Sequence, residues 1–205
     1  WRNGWYDVIL LYFIKKKLLI FEEFFYFINC MKRIAIDMDD VMADTTVKII
    51  QQINTICQRS YTYEQLMSTD ESIKQEFYKL YLSNNHFLHA PGFFEDIPVK
   101  ENAIDVIKSL HEVYEIFIVS AATEFPNSLK EKLDWMHVHF PFITWKNIVF
   151  CGHKHMIQAD YLIDDHEKNL STFTGTPLLF SAPHNLHIHE YERVNSWNDI
   201  KTKLL

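Results

Sequence analysis

The sequence predicts an α/β fold: a doubly wound parallel sheet with a small inserted helical cap. Three observations lead there. The 205 residues are 48% apolar and 23% charged, which suits a single globular core of ordinary size. From Lys32 onward, short apolar runs alternate with amphipathic stretches, the pattern of strands joined by crossover helices. Between the first apolar run and the second lie about eighty residues, far more than one crossover helix requires.

The elements follow in order. Ile34-Ala35-Ile36 is too short for a helix and ends in acid, so it reads as a buried strand. Thr45 or Thr46 is placed to cap a helix carrying Val47, Ile50, Ile53, Ile56 and Cys57 on one side. Residues 61–88 are aromatic-rich and helical in period, and Pro91-Gly92 ends them. Asn102 starts a further helix through Ile104, Ile107 and Leu110. Then come a strand at Ile116–Val119, a helix over Asn127–Phe140 and a strand at Ile148–Phe150. Two more strands, Tyr161–Ile163 and Leu178–Phe180, precede a last helix capped by Ser196. The surplus between the first two strands marks residues 46–95 as the cap, with residues 31–45 and 96–205 forming the sheet domain.

Several function classes fall away. The four glycines lie too far apart for a G-x-G-x-x-G turn or a Walker loop. Twenty Lys and Arg against 27 Asp and Glu leave a net charge of −7, which argues against a general binder of nucleic acid polymers. The three cysteines form no C-x-x-C pair and read as reduced thiols of a cytoplasmic protein. Among the 11 histidines, His153/His155 and His184/His187/His189 are candidate ligands, but no zinc-site spacing accompanies them, so structural zinc is not expected. Residues 1–30 fit the rest poorly. Lys15-Lys16-Lys17 and Glu22-Glu23 interrupt their apolar runs, so none reaches the ~20 residues of a membrane helix. The chain opens at Trp1, and Met31 reads as the start of the compact domain. Residues 1–30 are therefore expected to be a foreign upstream extension or an added outer helix; a membrane-associated segment is the less favoured reading.

Chemistry is expected at the carboxyl ends of the strands, where open parallel sheets bind their ligands. Asp37-Met38-Asp39-Asp40 follows the first apolar run, Ser120 the second and Asp164-Asp165 the fourth. So much negative charge gathered together is costly unless a cation neutralises it. All-oxygen ligands suit Mg²⁺.

Asp37-x-Asp39-x-Val41 after a buried strand resembles the first signature of the haloacid dehalogenase-type phosphohydrolases. Residues 37–44, Pro91-Gly92-Phe93-Phe94, Tyr161-Leu162-Ile163-Asp164-Asp165 and Ser181-Ala182-Pro183-His184-Asn185 are similar to the motifs of the 5′(3′)-deoxyribonucleotidases. They keep that family's order over Met31–Leu205. The resemblance implies a Mg²⁺-dependent phosphomonoesterase acting on deoxyribonucleoside monophosphates. Asp37 would be the nucleophile and form an aspartyl-phosphate. Asp39 would serve as general acid and then base. Ser120 and Lys132 would bind phosphate, Lys132 also balancing the charge on the nucleophile. Asp37, the backbone carbonyl of Asp39 and Asp165 would hold the cation, with Asp164 a weaker ligand or an orienter. Phe93 or Phe94, with Phe77, would line a slot for the base. The implied partner is a small nucleotide, with no polymer and no membrane, and a homodimer is left open.

Two departures stand out. Asp40 replaces the glycine of vertebrate members and is expected to point away from the site. Ala121-Ala122 follow Ser120 where a more polar pair is common, so one phosphate contact is expected to be lost. Two rival readings remain: a phosphatase for another small ester, and a receiver-like phospho-acceptor module, against which the large cap already weighs.

Overall fold

The computed structural model describes residues 16–17, 31–68 and 70–205. The expectations for the N-terminal extension therefore lie outside the described residues. Arg33–Leu205 forms one compact unit. Its sheet is six-stranded and parallel throughout: β1 (Arg33–Ile36), β2 (Glu115–Ser120), β3 (Ile148–Phe150), β4 (Tyr161–Asp164), β5 (Thr176–Phe180) and β6 (Glu192–Val194). The spatial order is β3-β2-β1-β4-β5-β6. This is a doubly wound arrangement whose chain direction across the sheet reverses between β1 and β4, the point at which such sheets open a crevice.

Strand periodicity divides the core in two. Ile34, Ile36, Ile116, Ile118, Ile163 and Leu178 belong to one buried cluster, and Ala35, Val119, Leu162 and Leu179 to another on the opposite face. A sheet covered on both faces explains why these strands read as unbroken apolar runs rather than as alternating ones. β6 carries Glu192 and Arg193 at the sheet edge and has no such run. Hence it is missing from the sequence-based expectation.

The long connection after β1, where the cap is expected, contains α1 (Thr45–Cys57), α2 (Tyr63–Met67), α3 (Glu71–Asn84) and a 3₁₀ turn (Asn85–His89). The single helical period expected over residues 61–88 is broken. A capping box of Thr62 and Gln65 opens α2, and the Asp70 side chain opens α3. Neither threonine caps α1 as expected: Asp44 holds the cap position without a side-chain bond. The Asp40 carboxylate does the work instead, accepting from Thr46 N at 2.8 Å and from the Thr46 hydroxyl at 2.5 Å.

The remaining helices are α4 (Ala103–His111), α5 (Ser128–His139), α6 (Glu167–Leu170) and α7 (Trp197–Leu204). Ser196 caps α7 through Asp199 N, as the sequence predicts. No described helix is long and apolar enough to cross a membrane.

Candidate active site

Parallel pairing places the site. Asp37 leaves β1 beside the end of β4, its amide donating to Ile163 O at 2.9 Å. Asp164 ends β4 and Asp165 follows it. Carboxylate oxygens of Asp37, Asp164 and Asp165 lie within 4.8 Å of one another, and all three residues are buried. A lysine offsets part of that charge. Lys154, itself buried, stands 2.5 Å from Asp37 Oδ1 and 2.7 Å from Asp164 Oδ2. Burial alone would discharge that lysine, but its two acids outweigh the effect and hold it protonated.

The three acids differ in what they have left to offer. Asp164 is saturated: His166 N and Asn169 Nδ2 donate to Oδ1 at 2.8 and 3.0 Å, while Lys154 and Asn169 donate to Oδ2. Asp165 Oδ1 is buried and finds no hydrogen-bond partner among the described residues. Desolvation, followed by repulsion from Asp37 and Asp164, raises the Asp165 pKa well above the ordinary range. An orphaned carboxylate oxygen beside two further carboxylates is a donor set that a hard divalent cation fits.

A second group lies across the cleft. The Asp39 carboxylate accepts from the Lys132 ammonium through Oδ2 and from the Thr45 hydroxyl through Oδ1 at 2.9 Å. Lys132 comes from α5 and also reaches Ser120 Oγ, at the end of β2, at 3.3 Å. The lysine thus stands on Asp39 and Ser120, whereas the ammonium on Asp37 belongs to Lys154. Lys132 was expected to balance charge at Asp37; the ammonium beside Asp37 in this structure is that of Lys154, a residue that sequence reasoning passed over.

The two acids of the Asp37-x-Asp39 pair are tuned in opposite directions. Burial, reinforced by Asp164 and Asp39, lifts Asp37 to about 6 despite Lys154. Burial also works to raise Asp39, but Lys132 and the Thr45 hydroxyl outweigh it and hold it below the ordinary carboxylate range. That is the reverse of the order the expected roles require: a charged Asp37 and a neutral Asp39.

Asp40 faces the N-terminus of α1 with both oxygens, in line with the expectation that it turns aside, although it still forms part of the cavity wall. Its φ of 55° lies in the left-handed region, which explains physically how a glycine could stand at the same place.

Above these groups opens a cavity of about 370 Å³. Phe77, Tyr78 and Tyr81 of α3 form part of its wall with Phe94 and Phe125. Phe93 does not line it. Its ring turns into the core against Phe87 at 5.3 Å, while Phe94 lies over Lys132, whose Nζ is 4.7 Å from the ring centroid. Of the expected aromatic pair, only Phe94 belongs to the slot. Phe125, unforeseen, stands 5.9 Å from Phe94.

The segment carrying Phe94 hangs from α5. Asn127 Nδ2 donates to His89 O at 2.8 Å, and Trp135 Nε1 donates to Ile97 O at 2.7 Å. Between them Glu131 accepts from Gly92 N and Phe94 N at 2.6 and 3.0 Å. These side chains recur every four residues along one helix face. Lys132, one position on, faces Asp39.

Fold and site together define a haloacid dehalogenase-type phosphohydrolase. Solved structures of that class share the architecture at low identity. A haloacid dehalogenase-family hydrolase from Deinococcus radiodurans, solved with bound phosphate and sodium, superposes with a TM-score of 0.56 at 11% identity, covering 85% of this chain and 95% of that one. YfnB of Bacillus subtilis, bound to magnesium, gives 0.54 at 12% identity, covering 85% and 98%.

Residues 31–205 match the family described as 5′ nucleotidase, deoxy (pyrimidine), cytosolic type C, and the chain belongs to it. It is accordingly a phosphoric monoester hydrolase. A 5′(3′)-deoxyribonucleotidase of Bacillus subtilis (strain 168) is 40% identical over 177 residues, which cover 85% of this chain and 99% of that protein. A putative 5′(3′)-deoxyribonucleotidase of Staphylococcus aureus (strain Mu50 / ATCC 700699) is 40% identical over 174 residues, covering 85% and 96%. Membership in a hydrolase family removes the receiver-module reading.

Proposed function

We propose that this chain is a Mg²⁺-dependent phosphatase of deoxyribonucleoside monophosphates that works through an aspartyl-phosphate on Asp37. The observation that carries the reading is the division of labour at the cavity floor. One aspartate stands with a buried lysine and an unpartnered carboxylate, and a second stands across the cleft with its own lysine and a serine. The names of the relatives supply the substrate class.

An oxygen of Asp37 attacks phosphorus in line with the departing sugar oxygen, and the phosphoryl group moves to Asp37. Asp39 gives a proton to the sugar oxygen as it leaves. A water then attacks the aspartyl-phosphate, and Asp39 takes a proton from it. Lys154 stays charged on the Asp37 side, and Lys132 and the Ser120 hydroxyl donate to phosphoryl oxygens. Asp37, Asp165 and the Asp39 backbone carbonyl would hold Mg²⁺, which lowers the charge on phosphate and nucleophile. Asp164 keeps Lys154 in place.

The inverted tuning of the two acids fits this sequence of events. A phosphate dianion competes with Asp39 for Lys132 and releases the charge that holds Asp39 ionised. Asp39 then becomes able to carry the proton that the leaving group needs. Phe77, Phe94 and the α3 tyrosines offer apolar faces on which a base can stack.

A panel of deoxyribonucleoside, ribonucleoside and sugar monophosphates tests the reading. Deoxyribonucleotides are expected to give the highest kcat/KM, and equal rates across the panel would return the chain to the broader class of small-ester phosphatases. The base preferred, 5′ against 3′ phosphate, and oligomeric state are read from the same preparation.

A further inference from the structure

We propose that Asp165, His166 and His184 form a second cation site, suited to a borderline transition ion such as Zn²⁺ or Co²⁺ and distinct from the all-oxygen cluster. The three come from neighbouring strand ends. His166 follows the β4 acids, and His184 lies in the 3₁₀ turn Pro183–Asn185 after β5. The Nε2 atom of His184 is 3.3 Å from Asp165 Oδ2, and that of His166 is 3.8 Å from the same oxygen. All three donor atoms lie within 4.8 Å of one another.

These spacings can be set against what a metal needs. With metal–nitrogen and metal–oxygen bonds of about 2.0–2.1 Å, donors of a tetrahedral site sit roughly 3.3–3.4 Å apart. The His184–Asp165 pair already has that separation, and the half-exposed His166 ring closes the remainder by turning out of its stack against His184. Two imidazoles and a carboxylate also differ in kind from Asp37, Asp164 and Asp165. Nitrogen donors favour zinc, cobalt and nickel over magnesium.

The backbone around the site is fixed, the His166 amide donating to Asp164 Oδ1, while the imidazole rings of His166 and His184 stack with centroids 4.5 Å apart, a stack that one ring leaves on taking a metal. His184 Nε2 now lies 3.1 Å from the Asp165 backbone carbonyl, a contact it gives up on taking a metal. That carbonyl keeps its bond from Asn185 Nδ2 at 2.8 Å, so no buried acceptor is stranded. Asp165 belongs to both sites, so an ion held by the histidines withdraws it from the all-oxygen cluster and inhibits the phosphatase. This last step alone rests on the reading given under Proposed function.

The experiment titrates the full chain with Co²⁺ in saturating Mg²⁺ and follows visible absorption. One Co²⁺ is expected to bind with a d–d band that Zn²⁺ displaces. His166→Ala is expected to weaken it at least tenfold, and His166→Cys to add a thiolate-to-cobalt charge-transfer band in the near ultraviolet. In parallel, His166→Ala should leave hydrolysis in Mg²⁺ unchanged and raise the concentration of Zn²⁺ needed for half-inhibition by the same factor. Co²⁺ binding that His166→Ala does not alter, together with a His166→Cys protein lacking the new band, overturns the site. A His166-dependent cobalt band in a protein without deoxyribonucleotidase activity keeps the site and overturns the substrate assignment instead.

Discussion

The two sides of the cleft solve one electrostatic problem in different ways. On the β1/β4 side, Asp37, Asp164 and Lys154 are buried and paired with one another, and Asp165 keeps one oxygen free. On the β2/α5 side, Asp39 shares Lys132 with Ser120, and its side chain remains 32% exposed. Charge on the first side is fixed by the fold, since neither member can leave its partner without stranding a buried ion. Charge on the second is exchangeable, because an incoming anion can take the lysine. A nucleophile needs the first environment and a proton carrier the second.

Substitution of the two acids should separate the sides most sharply. Asp37→Asn removes the attacking atom and is expected to lower kcat by about four orders of magnitude or more, with no phospho-enzyme in rapid-quench gels. Asp39→Asn removes only the proton relay and should cost about 10²–10⁴-fold while still allowing phospho-enzyme to form. Phospho-enzyme in the first variant, or none in the second, breaks the comparison.

The lysines should differ in stability rather than rate alone. Lys154→Ala leaves two carboxylates buried without a counter-charge, and a loss of about 3–5 kcal/mol is expected in urea unfolding. Lys132→Ala strands only a partly hydrated carboxylate and should cost clearly less. Equal losses would mean that burial does not distinguish the two sides.

The pH dependence carries a sign. Asp37 sits raised to about 6, so in protein depleted of divalent ions it binds a proton more tightly when folded than unfolded. Its contribution to stability is therefore present at low pH and is lost as pH rises through about 6. A cation needs the ionised form, so Mg²⁺ should bind more weakly at pH 5 than at pH 7.5, and calorimetry at the two values checks this. The acid limb of kcat/KM should lie near pH 6 at limiting Mg²⁺ and move lower as Mg²⁺ saturates.

The smallest effect concerns the leaving group. Glu131→Gln replaces one of two carboxylate acceptors with an amide donor facing Gly92 N or Phe94 N. Loss of one such bond, about 1–2 kcal/mol, should raise KM for deoxyribonucleotides roughly tenfold while leaving a small chromogenic phosphate ester nearly untouched. A matching loss on both esters would place Glu131 in the phosphate side of the site.

Much of this was legible because it is local. A buried strand ending in acid announces itself, and so Asp37, Ser120, Asp164 and Asp165 stand where their strands end. Lys154 does not announce itself. It lies in a 3₁₀ turn (Lys154–Met156) among histidines and reaches Asp37 across 117 positions of sequence. The same holds for Phe93 and Phe94, adjacent aromatics of which one enters the core and the other the cavity. No periodicity distinguishes them in an irregular loop. The threonines of α1 misled for a related reason: a hydroxyl at a helix start signals a cap, but here Asp39 and Asp40 claim both hydroxyls.

The hydrogen bonds by which Asn127 and α5 hold residues 89–97 address backbone atoms: two carbonyls and two amides. Such a fastening is blind to the identity of most side chains it carries, Gly92 excepted, whose φ of +88° excludes ordinary replacements. Residue 94 is thus mounted by its backbone, while its buried ring packs over Lys132 and against Phe125. An exchange at this position therefore touches Lys132 as well as the cavity wall, and a saturation library at that single codon measures how far the two are coupled.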